Sequence, residues 1–173
     1  GRIIRNLRAF ARQEVAPLSD VDLGAAVDGA LELAAARLRE AGVDVSWTAP
    51  EPPILVRAGE VRLQQVILNL VTNAIDAMEA SPRKLLTLTV SDSPDGVSLS
   101  VRDTGPGIKD PEKIFDPFYS TKEIGQSEGM GLGLSISYGI AQSFGGNIRG
   151  RNWIGGGAEM TVDLVRASAQ KVA

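Results

Sequence analysis

Residues 60–103 read EVRLQQVILNLVTNAIDAMEASPRKLLTLTVSDSPDGVSLSVRD, and a change of period inside this stretch sets the fold class. Leu63, Val66, Ile67, Leu70, Ala74 and Met78 fall along one broad apolar face at helical spacing, so Glu60 to Ala80 is expected to form a long amphipathic helix. The pattern then switches to period two. Leu85 to Val90 and Val97 to Asp103 read as strands, and the Ser93-Pro94-Asp95-Gly96 turn between them makes an antiparallel hairpin.

Upstream, Ile3, Leu7 and Phe10 give Gly1 to Glu14 the seam spacing of a helix that packs on partner helices, and Pro17 stops it, placing a boundary near Ala16. Asp20 or Asp22 is expected to cap a second helix through Val21, Ala25, Leu31, Leu33 and Leu38 that ends before Gly42. The alternation of Val43, Val45 and Trp47 predicts a strand, Pro50, Pro52 and Pro53 break the chain, and Ile54 to Arg57 forms another short strand. Downstream, Thr104 to Gly133 is rich in Gly, Pro, Ser and Lys without periodicity, a loop length that compact domains usually keep for function. It reads as a lid whose Lys109 to Glu128 segment has few apolar anchors beyond Phe115 and Phe118. Leu132 to Phe144 is expected to be helical, with Gly145 and Gly146 ending it. Asn147 to Trp153 and Ala158 to Val165 then form a second hairpin around Gly155, Gly156 and Gly157. This order implies an α+β two-layer sandwich, a mixed and mostly antiparallel sheet with helices on one face.

Composition narrows the chemistry. Hydrophobic residues at 43% and charged residues at 23% fit a folded globular chain. A net charge of −3 without a long Lys/Arg run provides no footprint for a phosphate backbone, so nucleic acid is not an expected partner. No cysteine is present, which removes disulfides and thiolate chemistry and suits a reducing compartment. No apolar run reaches the roughly 20 residues that span a bilayer, so a membrane anchor is expected only outside these residues. There is also no histidine, which rules out imidazole catalysis and phosphohistidine on this chain.

Three segments could carry chemistry. Asn69 and Asn73 share one helix face, either as solvated polar residues or as neutral oxygen ligands for Mg²⁺. Asp103, at a strand end before Gly105 and Gly107, is either a turn residue or an acceptor for an exocyclic amine on a flat base that the glycines let close. The run Gly129-Met130-Gly131-Leu132-Gly133-Leu134 opens a helix and could offer backbone N–H groups to phosphates. It lacks the strand and βαβ context of a dinucleotide fold, and no Walker A pattern is present.

Taken in order, these segments resemble the boxes of bacterial sensor histidine kinases. Gln65 to Ala74 looks like the N box, Asp103 to Ile108 the first glycine box, Ile114 to Lys122 the F box and Gly129 to Leu134 the second glycine box. Ile3 to Arg12 is similar to the end of the second dimerisation helix in the nitrogen-regulation and dicarboxylate-sensor class, and Pro117 to Lys122 and Ser135 to Ile140 are most similar to that class too. The resemblance implies a dimerisation-helix end over 1–16 and a catalytic domain over 17–173, with the ATP-binding fold shared with gyrase, Hsp90 and MutL proteins. It implies that Asp103 receives the adenine amino group, that Asn73 and Asn69 hold Mg²⁺, and that Gly129, Gly131 and Gly133 face the phosphates. Lys122 is implied as a phosphate-side cation or a solvated lysine, and Ile108 and Leu132 as adenine-pocket walls or core. The ATP-hydrolysing relatives carry a Glu base where this chain has Asn69, and an amide cannot activate water.

The implied activity is transfer of the γ-phosphate from Mg-ATP to a histidine on the dimerisation domain of the same kinase, which then serves a response regulator receiver domain. The implied setting is a cytoplasmic domain of a parent attached to the inner membrane. The alternatives are a nucleotide-binding regulatory module of a pseudokinase and an ATPase clamp.

Overall fold

The computed structural model describes residues 17–109 and 130–167, and only the backbone of Met130, Gly131 and Leu132. The helix expected over 1–14 and most of the lid, with Phe115, Phe118, Lys122 and Gly129, lie outside these residues.

The elements are β1 (Ser19–Asp22), α1 (Leu23–Leu33), α2 (Ala35–Ala41), β2 (Asp44–Ser46), β3 (Leu55–Ala58), α3 (Glu60–Ala77), β4 (Leu85–Ser93), β5 (Gly96–Arg102), α4 (Met130–Ser143), β6 (Asn147–Asn152) and β7 (Ala158–Leu164). Five strands form the main sheet in the order β2-β4-β5-β7-β6, parallel only between β2 and β4. The helices cover one face, so the expected α+β two-layer sandwich is the architecture found.

Period-two patterning explains the layers. Val97, Leu99 and Val101 of β5 are buried, while Ser98, Ser100 and Arg102 alternate onto the other face. There Ser98 donates to Asp163, Ser100 pairs with Thr161, Arg149 with Asp163 and Arg151 with Glu159. These polar side chains pair with one another on that face, and the apolar core lies on the helix side. The spine of the core is α3, whose Leu63, Ile67 and Leu70 are fully or almost fully buried in one cluster with Leu86, Leu99 and Val162. Asp76 on α3 is tied to Arg37 of α2 by a 2.7 Å ion pair.

Two expectations change. Asp22 is the cap, its Oδ1 accepting from the Ala25 N–H at 3.1 Å, but Val21 and Asp20 precede the helix in β1. There Val21 faces Val56 of β3 in register, and Asp20 pairs with Arg57 at 2.9 Å. Non-local pairing that buries Val21 prevails over helical spacing. The helix also divides at Ala34 into α1 and α2. Second, the strand at Leu55 joins a separate small sheet with β1, extended by the 165–167 segment through Arg57 N–H to Val165 O and Ala167 N–H to Leu55 O. Elsewhere the differences are at ends. The long helix stops at Ala77, and α4 begins at Met130.

Replacing Leu70, 1% exposed, by Ala should cost about 2–5 kcal/mol in urea unfolding, through lost transfer free energy and a cavity. Val61→Ala on the same helix, where Val61 is 77% exposed, should change stability by less than about 0.5 kcal/mol.

Candidate nucleotide site

β5 delivers Asp103 to the sheet end one residue past its last paired position. The residue is 5% exposed. Its backbone N–H donates to Ala158 O at 2.9 Å, and its Oδ1 accepts from Gly105 N–H at 2.9 Å and Ala158 N–H at 3.2 Å. Oδ2 takes no hydrogen bond from the described residues. Burial pushes the carboxyl above its ordinary value, and the two backbone hydrogen bonds offset part of that push. The arrangement is a buried carboxylate with one oxygen fixed by the fold and the other left to a donor.

Close backbone approach surrounds it. A Cβ on Gly105 would lie 2.6 Å from Ala77 O, so the turn sits directly on the last residue of α3. Gly157, at φ +90°, comes so near the Asp103 carbonyl that a side chain there would collide with it. Thr104 fastens the turn from the other side, donating to Arg83 O at 2.6 Å and accepting from Leu85 N–H at 3.1 Å.

Ala77 lies one helical turn beyond Asn73, so the contact with Gly105 brings the glycine turn to the Asn-bearing part of α3. Asn69 and Asn73 are both half-buried. Asn69 Nδ2 donates to Ser137 Oγ of α4 at 2.9 Å, and Ser137 is fully buried. With its amide nitrogen so engaged, Asn69 keeps Oδ1 as an acceptor. Asn73 makes no side-chain hydrogen bond with the described residues. These two oxygens are the hard neutral donors that suit Mg²⁺. Among the described residues no three His, Cys, Asp or Glu side chains gather as an alternative metal site.

The remaining candidates divide. Ile108 packs partly buried against the core, which favours packing as part of its role. Gly131 and Gly133 lie in the first turn of α4, where backbone N–H groups have no helical partner, and the Cβ position of Gly133 has no described atom within 4 Å. Of Leu132 only the helical backbone is described, and Lys122 and Gly129 fall outside the described residues. Three further residues of the site carry no signal in the sequence: Ser137, Ala158 and Asn152, whose Oδ1 accepts from Ile108 N–H at 2.5 Å. Each acts from an element distant in sequence, and no local pattern marks it.

The sequence from 58 to 168 matches the family of histidine kinase-, DNA gyrase B- and HSP90-like ATPases. The C4-dicarboxylate transport sensor protein DctB of Pseudomonas aeruginosa is 36% identical over 166 residues, covering 94% of this chain and 27% of that protein. Sensor protein FixL of Bradyrhizobium diazoefficiens is 34% identical over 170 residues, 96% of this chain and 33% of FixL. The chain thus spans about a quarter to a third of the length of these relatives. Among solved structures, the catalytic domain of histidine kinase ThkA superposes with a TM-score of 0.71 at 27% identity, covering 86% of this chain and 96% of that one. Full-length ShkA in complex with AMPPNP gives 0.71 at 33% identity, covering 87% of this chain and 31% of ShkA. By sequence and by fold, the chain belongs to the family of histidine kinase-, DNA gyrase B- and HSP90-like ATPases, on the branch that resembles sensor histidine kinases.

Proposed function

We propose that this domain binds Mg-ATP and presents the γ-phosphate to a histidine on the dimerisation domain of a sensor kinase. The observation that carries the reading is the Asp103 carboxylate, buried, with Oδ1 held by two backbone N–H groups and Oδ2 without a partner among the described residues. An amine is the complement of that oxygen, and the adenine amino group supplies one beside a glycine turn that admits a flat base. Gly105, Gly107 and Ile108 line the base side. Asn73, with Asn69 in support, holds Mg²⁺ through carboxamide oxygens; Gly131 and Gly133, in the first turn of α4, are assigned with Gly129 to the phosphates, and Leu132 to the wall of the adenine pocket. Lys122 is assigned to the phosphate side. When bound, the metal neutralises phosphate charge and orients the transferring group.

The absence of histidine puts the acceptor on another domain, and residues 1–16 are assigned to the helix that leads to it. The response regulator receiver domain is the next acceptor, and membrane attachment is assigned to regions other than this domain. Among the described residues no helix is long and apolar enough to cross a membrane. An amide at Asn69 cannot deprotonate water, so ATP should be held rather than turned over. The test is labelled ATP: the chain alone should stay unlabelled, and a supplied dimerisation domain carrying its histidine should take up acid-labile label. Steady ATP hydrolysis, or binding without transfer at any concentration, would overturn the proposal.

Asn73→Ala should abolish the gain in ATP affinity that Mg²⁺ confers, read by calorimetry with and without the metal. Asn69→Ala should reduce it less.

Asp103 sets fold stability against binding. Its raised folded pKa means that its favourable contribution is present in full below the unfolded-state value and is lost as pH rises through the folded one, so at neutral pH the ionised group costs stability. Asp103→Asn keeps the acceptor for Gly105 and Ala158 but removes the charge. Without nucleotide it should therefore melt higher than the parent at neutral pH, the difference fading as pH falls through the folded pKa. The same change turns an NH₂ toward the adenine amine, and ATP affinity should fall by about 1.5–3 kcal/mol, the value of a hydrogen bond to a charged group. A variant that melts lower at neutral pH, or binds ATP like the parent, would contradict these assignments.

A further inference from the structure

We propose that Asn152 is a positioning residue for nucleotide binding: its carboxamide clamps the backbone of Ile108 and so holds the glycine turn in the shape that aims Asp103 at the base. This rests on the adenine reading of Asp103. Asn152 Oδ1 accepts from Ile108 N–H at 2.5 Å, and Asn152 Nδ2 donates to Ile108 O at 2.9 Å. The side chain thus pairs with both backbone groups of one residue, as a neighbouring strand would, across 44 positions of sequence. The orientation of the amide is fixed by its partners, because the Ile108 N–H requires the oxygen opposite it.

Asn152 faces Ala158 in the register of the β6–β7 hairpin. Ala158 donates to Asp103 Oδ1 and accepts from Asp103 N–H. One cross-strand pair therefore holds both ends of the segment from Asp103 to Ile108. Gly107 is fitted to the clamp: its φ is +95°, and a Cβ there would lie 2.8 Å from Asn152 Oδ1. The hairpin end is itself braced. Trp153 N–H bonds Gly157 O at 3.0 Å, and the Arg102 guanidinium lies 4.1 Å from the Trp153 ring centroid with that of Arg151 at 4.7 Å.

An asparagine there for turn formation alone would act on its own hairpin and not on Ile108. Of the short side chains, only a carboxamide offers donor and acceptor at the spacing of a peptide group. Asp keeps the acceptor but sets a carboxylate against the Ile108 carbonyl, and Ser cannot reach both atoms.

In the 173-residue chain, Asn152→Ala, which loses both hydrogen bonds, and Asn152→Asp, which loses one and sets a charge against the Ile108 carbonyl, should each weaken ATP binding by about fivefold or more in calorimetry. Asn152→Ser is measured alongside and replaces the Ala variant if that one fails to fold. Amide exchange at Ile108 should accelerate without nucleotide while the β5 amides keep their protection. In the Asp103→Ala background the loss from Asn152→Ala should shrink to less than about twofold, because a clamp that works through Asp103 has nothing left to aim. Parental affinity in the Asn152 variants, or losses that add in full in the double variant, would overturn the proposal. If Asp103→Ala alone binds ATP like the parent, the adenine reading fails and this inference with it. Normal Ile108 protection in a variant that binds weakly would sink the clamp and leave the adenine reading intact.

Discussion

Asp103 holds a carboxylate away from water with its Oδ1 fixed by the N–H groups of Gly105 and Ala158, and much of the surrounding structure follows from that constraint. A buried carboxylate is costly unless hydrogen bonds compensate it. The compensation must come from rigid backbone, so the sheet ends here: β5 delivers the aspartate, the start of β7 supplies one donor, and the glycine turn supplies the other. Gly105 and Gly157 are needed because the chain segments that form this nest leave no room for a Cβ. On the proposed reading, the stability given up is the cost of an oxygen left for a ligand.

The long helix α3 links that nest to the rest of the site. Its apolar stripe, with Leu63, Ile67 and Leu70, is buried in the core shared by sheet and helices, and Asn69 and Asn73 are thereby fixed in angle at half-buried positions. Ser137, fully buried on α4, takes the Asn69 amide nitrogen and leaves its oxygen as the acceptor. On the proposed reading, base recognition, metal binding and phosphate contact are thus carried by three elements that share one core. A cavity in that core would be felt in all three.

The sequence was most legible where one periodicity ran without competition. Glu60 to Ala80 and the β4–β5 hairpin were readable because their apolar spacing agrees with what the tertiary structure buries. Val21 was misread because it also fits a helical stripe, and only its partner Val56, far away in sequence, selects a strand. Asp103, Gly105 and the two asparagines stood out by residue type and position, and the order of the four boxes gave the family. Asn152, Ala158 and Ser137 could not be found that way. Their roles come from backbone and side-chain contacts across long separations, which neither composition nor spacing encodes.

The central claim is that Asp103 Oδ2, without a hydrogen bond from the described residues, receives the exocyclic amine of adenine. It is tested most directly by comparing, in one calorimetric experiment with Mg²⁺, ATP against purine riboside triphosphate, which differs only in lacking that amine. The account predicts that the parent prefers ATP by about tenfold or more, the value of a hydrogen bond to a charged group, and that Asp103→Ala binds the two equally. Equal affinities in the parent would contradict it.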